Sequence, residues 1–281
     1  MIMVNGHGID GKDRQMTGQG SYILATEGLT VKFRSESGWF SAVDDLSFKL
    51  CQGEVLGVVG ESGCGKSVTC KALMRLHDDG VQSGKIFLDN IDIATLDERS
   101  LSRIRGRRIA MIFQNPMSSL NPVLSIGRQM TEIIRHHKGM SKEESRKDAT
   151  NLLVRMGVSN AEDRLSQYPH QQSGGINQRI AIAMALSCNP DVLLADEPTA
   201  SLDPTIQLQI QDLFRELKGR LSILLVSHNL GTIHDLADRV IVMYKGMIVE
   251  EQFAGEFFES PKHPYSKALL SAIPFLNRGG S

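Results

Sequence analysis

The chain of 281 residues is 41% hydrophobic and 22% charged, the composition of an ordinary globular protein. Its 31 basic and 32 acidic side chains leave a net charge of −1, so no bulk positive charge favours nucleic acid as a partner. The apolar runs are far below the roughly 18 residues of a membrane-spanning helix, and none of the four cysteines forms a CxxC pair, which disfavours a zinc site or a disulfide framework.

The two ends of the chain differ from its middle. Residues 1–20 are rich in glycine and charge and lack a continuous apolar core, so we predict a disordered leader and not a signal peptide. We expect one domain over residues 21–274 and a short C-terminal tail over residues 275–281.

Strand patterns come first along the chain. Strands are predicted over residues 22–33 and 42–50, with a turn at 35–38 between them. Val55–Val59 is a short apolar run that leads into a glycine loop and a helix. Two further strands are predicted over residues 84–88 and 109–113.

From about residue 115 to 170 the pattern becomes helical, with helices predicted over residues 126–137 and 142–156. We interpret this stretch as a helical subdomain inserted into an α/β core. The remaining predicted elements are a helix over 176–187, a strand over 192–195, a helix over 205–217, a strand over 223–226, a helix over 230–238, and a hairpin of 240–243 with 247–250. Strands that alternate with helices indicate a largely parallel, buried sheet.

The glycine loop fits the pattern GxxxxGK[ST], which is typical of a phosphate-binding loop. Its glycines let backbone N–H groups converge on phosphate oxygens, and the following helix adds its positive end. Lys66 is expected to reach the β- and γ-phosphates, and Ser67 to bind Mg²⁺. The predicted ATP-binding residues are Gly60, Glu61, Ser62, Gly63, Cys64, Gly65, Lys66, Ser67 and Val68.

Two acidic residues, Asp196 and Glu197, end the apolar strand predicted over residues 192–195. Ligands of open α/β folds bind at the carboxyl edge of the sheet, so both side chains are candidates for the same site. We expect Asp196 to hold Mg²⁺ and Glu197 to polarise the attacking water.

Further motifs carry a family resemblance: Ser173-Gly174-Gly175, Gln178-Arg179, Asp191–Pro198 and Ser201-Leu202-Asp203. With the phosphate loop, and in this order and spacing, the sequence resembles the ATP-binding subunit of an ABC transporter over residues 22–274. The resemblance implies a phosphate-loop NTPase core of α/β class, with an antiparallel β subdomain and an inserted helical subdomain. It also implies ATP and Mg²⁺ as ligands and an ATPase reaction coupled to transport.

The resemblance assigns roles residue by residue. Gln114 resembles the glutamine that contacts Mg²⁺ and the attacking water, and His228 resembles the histidine that orients this water on the γ-phosphate. Asp203 resembles an aspartate that couples two sites. The turn of Ser173, Gly174 and Gly175 resembles the signature that contacts ATP held by a facing subunit. For the aromatic that stacks on adenine, Phe33 fits by position, with Trp39 and Phe40 as alternatives.

Four positions depart from the family pattern, although they leave the phosphate-contacting atoms intact. Gln172 stands before the signature where an apolar residue is usual, Ile176 and Asn177 follow the glycines, and Asn229 follows the histidine where aspartate is common. A weakened site in an asymmetric pair is one interpretation of these changes.

Three segments are similar to the peptide and nickel importer branch: residues 113–122, Tyr168-Pro169-His170-Gln171, and residues 263–270, which also fit a short amphipathic packing helix. The branch includes uptake of peptides, glutathione, nickel and metal–opine complexes, and we take di- and oligopeptides as the first candidate cargo. The implied partners are a second ATPase subunit, identical or homologous, two permease subunits, and an extracytoplasmic binding protein. The implied location is the cytoplasmic face of the membrane. No cysteine follows Cys188, so no iron–sulphur cluster is predicted.

Two other classes stay open at this point. An ABC-type ATPase working on ribosomes or DNA usually carries two cassettes or a long coiled coil, whereas this chain shows one cassette and no heptads. A phosphate-loop kinase for a small molecule would lack the signature turn and the histidine at 228.

Overall fold

The structure, a computed structural model, describes residues 21–36, 38–76, 79–200 and 202–272. The leader predicted over residues 1–20 and the tail predicted over residues 275–281 lie outside these ranges, as does Ser201.

The strands of the described chain form two sheets. In chain order they are β1 (Tyr22–Ser35), β2 (Gly38–Cys51), β3 (Val55–Val59), β4 (Gly80–Leu88), β5 (Ile91–Asp92), β6 (Ile109–Ile112), β7 (Val192–Asp196), β8 (Ser222–Val226), β9 (Arg239–Tyr244) and β10 (Met247–Phe253). One sheet is antiparallel, in the order β2-β1-β4-β5. The other has the order β10-β9-β3-β8-β7-β6 and is parallel except for its edge strand β10.

The helices follow the same chain order. They are α1 (Lys66–Leu73), α2 (Glu98–Ile104), α3 (Ile126–Lys138), α4 (Lys142–Arg155), α5 (Ala161–Arg164), α6 (Gly174–Leu186), α7 (Pro204–Leu217), α8 (Leu230–Leu236), α9 (Ala254–Glu259) and α10 (Pro264–Ser271). Single 3₁₀ turns occupy Pro116–Ser118 and Pro169–Gln171. The helices α3, α4 and α5 lie in the chain between β6 and β7, where an inserted helical subdomain was predicted.

The parallel sheet is buried on both faces because its strand residues alternate between two apolar cores. Val55, Leu193 and Leu225 belong to the core shared with α3, α4, α6 and α7. Their neighbours Leu56 and Leu194 belong to the core shared with the antiparallel sheet and α1. Side chains of a strand alternate with a period of two, so one apolar strand can contribute to both layers.

Local signals set the helix ends of the inserted segment. The Ser125 hydroxyl accepts the Arg128 N–H at the start of α3, and Gly139 closes this helix in the left-handed conformation. Ser141 and Glu144 form a reciprocal capping box at the start of α4.

The predicted elements are present, but several differ in their bounds. The strands β2 and β4 each begin four residues earlier than predicted, at Gly38 and Gly80. The helix expected over 230–238 ends at Leu236, because Asp238 turns to accept the Val55 N–H. The helix expected from Ile176 begins two residues earlier, at Gly174, because Ser173 caps it. The elements α2, α5, α9 and β5 were not predicted. The packing helix expected in the segment 263–270 is confirmed as α10.

Candidate nucleotide site

The loop of residues 60–65 joins the buried strand β3 to the helix α1, as the sequence predicted. Two of its glycines are required by close backbone contacts. A Cβ on Gly60 would lie 2.3 Å from the Met243 carbonyl oxygen, and one on Gly65 would lie 2.4 Å from the Ala42 carbonyl oxygen. Both residues also have positive φ, 151° and 108°, a conformation that side chains disfavour.

The Lys66 side chain lies within the loop and is only 5% exposed. Its ammonium donates to the carbonyl oxygens of Gly60 at 2.7 Å and Glu61 at 2.8 Å, and lies 3.6 Å from the Cys64 sulfur. These contacts hold the positive charge on the axis of the loop, where a triphosphate would need it.

Two contacts that the sequence did not predict hold the outside of the loop. The Gly246 N–H, from the β9–β10 turn, donates to the Cys64 carbonyl oxygen at 3.0 Å. The Tyr265 hydroxyl, from α10, accepts the Glu61 N–H at 2.9 Å. The hairpin predicted from the sequence includes Gly246 in its turn, but it does not predict the contact with Cys64. Nothing in the spacing of the tail points to the second.

The strand β7 brings Asp196 to the start of α1. The Ser67 hydroxyl donates to Asp196 Oδ1 at 3.0 Å, although 129 residues separate the two in the chain. Asp196 is 3% exposed, and burial is the main cause that raises the pKa of its carboxyl group, ahead of the opposing Ser67 hydrogen bond. A hard cation would offset this buried charge and prefers oxygen ligands, so the pair fits Mg²⁺.

Glu197 is the centre of a second cluster. Its Oε2 accepts the Gln114 side-chain N–H at 2.9 Å and lies 3.1 Å from His228 Nδ1. The three side chains come from the ends of β6, β7 and β8, which are neighbours in the parallel sheet. The structure therefore brings Gln114 and His228 to the same carboxylate oxygen of Glu197, so the three predicted catalytic residues lie together.

The backbone of Glu197 contributes to this geometry. Glu197 has a φ of 47°, and its N–H donates to the Val226 carbonyl oxygen at 2.9 Å. A non-glycine residue in the left-handed region carries strain of about 1 to 3 kcal/mol, which is common at functional sites. Gln207 and Thr199 line a small cleft beside this carboxylate. Sequence reasoning missed Gln207, since no motif marks it.

The predicted signature turn is the N-terminus of α6. The Ser173 hydroxyl accepts the Ile176 N–H at 3.4 Å, and both following glycines lie in the first helical turn. Asp203 similarly caps α7 through the Ile206 N–H at 3.1 Å. Among the described residues, no hydrogen bond joins Ser173 or Asp203 to the phosphate loop of the same chain. In the same described part of the chain, neither side chain is hydrogen-bonded to Gln114, Glu197 or His228.

The unusual residues around the signature are held by hydrogen bonds within the chain. The Gln172 carbonyl oxygen of the side chain accepts from Arg164 at 2.7 Å, and its amide donates to Gln167 at 2.7 Å. The Asn177 side chain donates to the Pro169 carbonyl oxygen at 2.9 Å. Asn229 caps α8 through the Gly231 N–H at 2.9 Å, a task that aspartate performs equally well. Gln172 and Asn229 are therefore accommodated locally, whereas the Asn177 Oδ1 is buried without a hydrogen-bond partner among the described residues.

The three candidate aromatic residues occupy the β1–β2 hairpin. Phe33 is half-buried on β1 and pairs across the hairpin with Phe40. Trp39 and Phe40 are 60% and 58% exposed.

This fold and this cluster define the class as phosphate-loop nucleoside triphosphatases. A family model described as "ABC transporter" matches residues 43–200, more than half of the chain. The chain belongs to the ABC transporter family, and it is an ATPase subunit of that family.

Similar proteins cover most of the chain. A dipeptide transport ATP-binding protein of Bacillus subtilis is 45% identical over 264 residues, 92% of this chain and 79% of that protein. An oligopeptide transport ATP-binding protein of the same organism is 43% identical, over 92% of this chain and 74% of that protein. A solved dimeric ATP-binding cassette in a post-hydrolysis state, bound to ADP and phosphate, has a TM-score of 0.74. It is 27% identical, over 82% of this chain and 98% of its own. No helix in the described part of the chain is long and apolar enough to cross a membrane.

Proposed function

We propose that the chain hydrolyses ATP to energise an importer of di- and oligopeptides. The observation that carries the ATPase part is the single oxygen of Glu197 shared by Gln114 and His228, beside the phosphate loop. The peptide part is supported by the names of the relatives from Bacillus subtilis.

The phosphate loop would bind the triphosphate through residues 60–68. The backbone N–H groups of the loop and of the first turn of α1 attract phosphate oxygens, and the Lys66 ammonium neutralises the β- and γ-phosphates. Ser67, Asp196 and Gln114 are the proposed ligands of Mg²⁺. When bound, this ion would neutralise charge that develops on the phosphates. Phe33, Trp39 or Phe40 would stack on adenine.

Glu197 is the proposed general base for the attacking water. A carboxylate placed in this way contributes typically about 10²- to 10⁴-fold in rate. Gln114 and His228 contact the Glu197 carboxylate in this structure. With ATP bound, they would orient the attacking water on the γ-phosphate. Their contacts define where Glu197 Oε2 lies, so hydrolysis would depend on all three side chains.

A second cassette would complete the site. Ser173, Gly174 and Gly175 would contact ATP bound by the facing subunit, with Asp203 coupling the two sites. The free N–H groups and positive end of α6 suit a γ-phosphate. To shift the pair from 1:99 to 99:1 in favour of closure, ATP must bind the closed state more tightly by about 5.5 kcal/mol.

The remaining partners would be two permease subunits and an extracytoplasmic solute-binding protein. The chain would sit at the cytoplasmic face of the membrane as a peripheral subunit. The helical segment 115–170 would transmit closure to the permeases, as one part of a domain over residues 21–274.

The test is peptide uptake in cells of the source organism that lack the gene. We expect wild type to restore uptake of labelled di- and tripeptides and Glu197→Gln to fail. In the purified complex, Glu197→Gln should lower turnover by about 10²- to 10⁴-fold while ATP affinity is retained. Glu216→Gln, which changes an exposed carboxylate on α7, is the control.

Normal turnover in Glu197→Gln would contradict the assignment of the base. Loss of nickel, metal–opine or glutathione uptake with normal peptide uptake would replace the cargo and leave the ATPase part intact. Purification of the chain without integral membrane subunits, together with ribosomes, would instead support a non-transport ATPase.

A further inference from the structure

The peptide unit on each side of Glu61 is held by a different part of the molecule. The Glu61 N–H donates to the Tyr265 hydroxyl at 2.9 Å. Its carbonyl oxygen accepts the Lys66 ammonium at 2.8 Å. Glu61 is thus fixed from outside by the C-terminal helix α10 and from inside by the lysine that the phosphates need.

The position of Tyr265 is itself determined by neighbouring groups. His263 caps α10, with its Nδ1 accepting the Tyr265 N–H at 3.1 Å. The Tyr265 ring packs against the ring of Tyr244, at the end of β9, with centroids 4.5 Å apart. The phenol is therefore aimed at the loop by one hydrogen bond and one ring contact.

The segment before α10 is anchored to the parallel sheet. Glu250, on β10, is 7% exposed, and its two carboxylate oxygens accept the N–H groups of Lys262 at 2.7 Å and His263 at 2.8 Å. A continuous path of hydrogen bonds and ring contacts thus leads from β10, through the start of α10, to the phosphate loop.

We propose that Tyr265 is a positioning residue that pre-organises the phosphate loop for ATP. This inference rests on the proposed role of residues 60–68 in ATP binding. A glycine-rich loop loses much backbone freedom when it closes on a ligand, and a contact that restricts it beforehand lowers this cost. The Glu61 N–H points to the phenol, so Tyr265 acts through the loop and does not touch the phosphates.

The test compares two tyrosine-to-phenylalanine variants of the full chain. Tyr265→Phe removes the acceptor and keeps the ring contact. Tyr244→Phe removes a hydroxyl from the other ring of the same pair and is the matched control. We expect the Kd for ATP with Mg²⁺, measured by calorimetry, to rise about fivefold in Tyr265→Phe and to stay unchanged in Tyr244→Phe.

Two further readouts separate positioning from general destabilisation. In Tyr265→Phe, the KM for ATP should rise with kcat retained, because the contacts of Glu197 are untouched. Amide hydrogen exchange should accelerate in the peptide that contains residues 60–66 and not in α3. Glu250→Gln, which weakens the anchor of α10, should change the Kd in the same direction.

The outcomes distinguish this inference from the proposed function. Lys66→Ala is measured alongside. If Lys66→Ala weakens ATP binding and Tyr265→Phe does not, the positioning role is overturned and the ATP site stands. If neither variant changes the Kd, the assignment of the phosphate loop itself fails. An equal rise of Kd in both tyrosine variants would also overturn the role of the hydroxyl.

Discussion

The glycines of the phosphate loop serve different purposes, although the motif treats them alike. Gly65 has a φ of 108° and faces the Ala42 carbonyl oxygen at a distance that leaves no room for a side chain. Gly63 also has a positive φ, 82°, but a Cβ there would meet nothing within 4 Å. Gly65 is therefore needed both for its positive φ and because a side chain would not fit there. Gly63 is needed only for its positive φ.

This difference predicts the ranking of two alanine variants. Gly65→Ala should lower the free energy of unfolding by about 2 to 5 kcal/mol, because a strained φ and a backbone clash add. Gly63→Ala should lower it by about 1 to 2 kcal/mol, from φ alone. Urea unfolding without nucleotide measures both. Equal losses would show that the Ala42 contact relaxes without cost.

The sequence predicts those site residues whose role is marked by a motif or by neighbouring residues in the chain. The phosphate loop and the pair Asp196-Glu197 can be predicted from their own residues and from the apolar strands that precede them. Tyr265 could not be predicted, because its contact with Glu61 joins positions 204 residues apart in the chain, and Gln207 could not be predicted, because no motif marks it. The roles of Ser173 and Asp203 toward a facing subunit stay predictions.

Among the secondary-structure elements, the strands β3 and β9 are joined by an ion pair at their amino-terminal ends, the opposite edge of the sheet from the phosphate loop. Arg239 donates to both carboxylate oxygens of Glu54, at 2.8 and 3.1 Å, and the two side chains are 12% and 11% exposed. The same Glu54 carboxylate accepts the Cys51 N–H at 2.7 Å. This carboxylate therefore links the end of β2 and the starts of β3 and β9.

Neutralising this carboxylate should be costly, whereas the same change in an exposed pair should not be. We expect Glu54→Gln to destabilise the protein by about 2 to 3 kcal/mol, because it leaves a mostly buried guanidinium with only one of its two carboxylate partners, Glu251. Glu132→Gln, which breaks the exposed pair of Glu132 with Arg128 on α3, should cost at most about 0.5 kcal/mol. Thermal and urea unfolding measure the two. Similar costs would contradict the role of burial.

The accuracy of the predicted elements follows their burial. The strands β3, β7 and β8 match to within a residue, because every residue in them is buried and the apolar run marks both ends. The helix α2 was missed because Leu101 is its one buried residue, which leaves no periodic pattern. The start of α6 was misplaced because its first two residues are glycines, which favour turns.

In the whole molecule, the site is assembled by topology. The chain segments that carry Lys66, Gln114, Glu197 and His228 are separated by the segment from β4 to α2, by the helical insertion with α6, and by α7, and adjacent parallel strands bring them together. Parallel strands end at the same edge, so a residue that follows each strand reaches a common site. The antiparallel sheet and the helical layer cover opposite faces and keep these strands buried.

The segment before α10 is attached to β10 through the Glu250 carboxylate. We expect this contact to make the free energy of unfolding depend on pH. Burial acts to raise the pKa of Glu250, but hydrogen bonds to its carboxylate, among them the N–H groups of Lys262 and His263, outweigh burial, and the pKa lies below its usual value. A lowered pKa means that the folded protein binds the proton less readily than the unfolded chain. The stabilisation from Glu250 is therefore complete above about pH 4.3, the ordinary glutamate value, and is lost as the pH falls through the lowered pKa.

Glu250→Gln should remove this dependence. We expect the variant to be less stable than wild type by about 1 to 3 kcal/mol at pH 7, since the amide satisfies fewer of the buried N–H donors. The difference between the two should shrink as the pH is lowered from about 5 to 3, because protonation of the wild type has the same effect as the substitution. Unfolding free energies measured at each pH test this expectation. A difference that stays constant across the range would contradict the role of the ionised Glu250 carboxylate in holding the segment before α10.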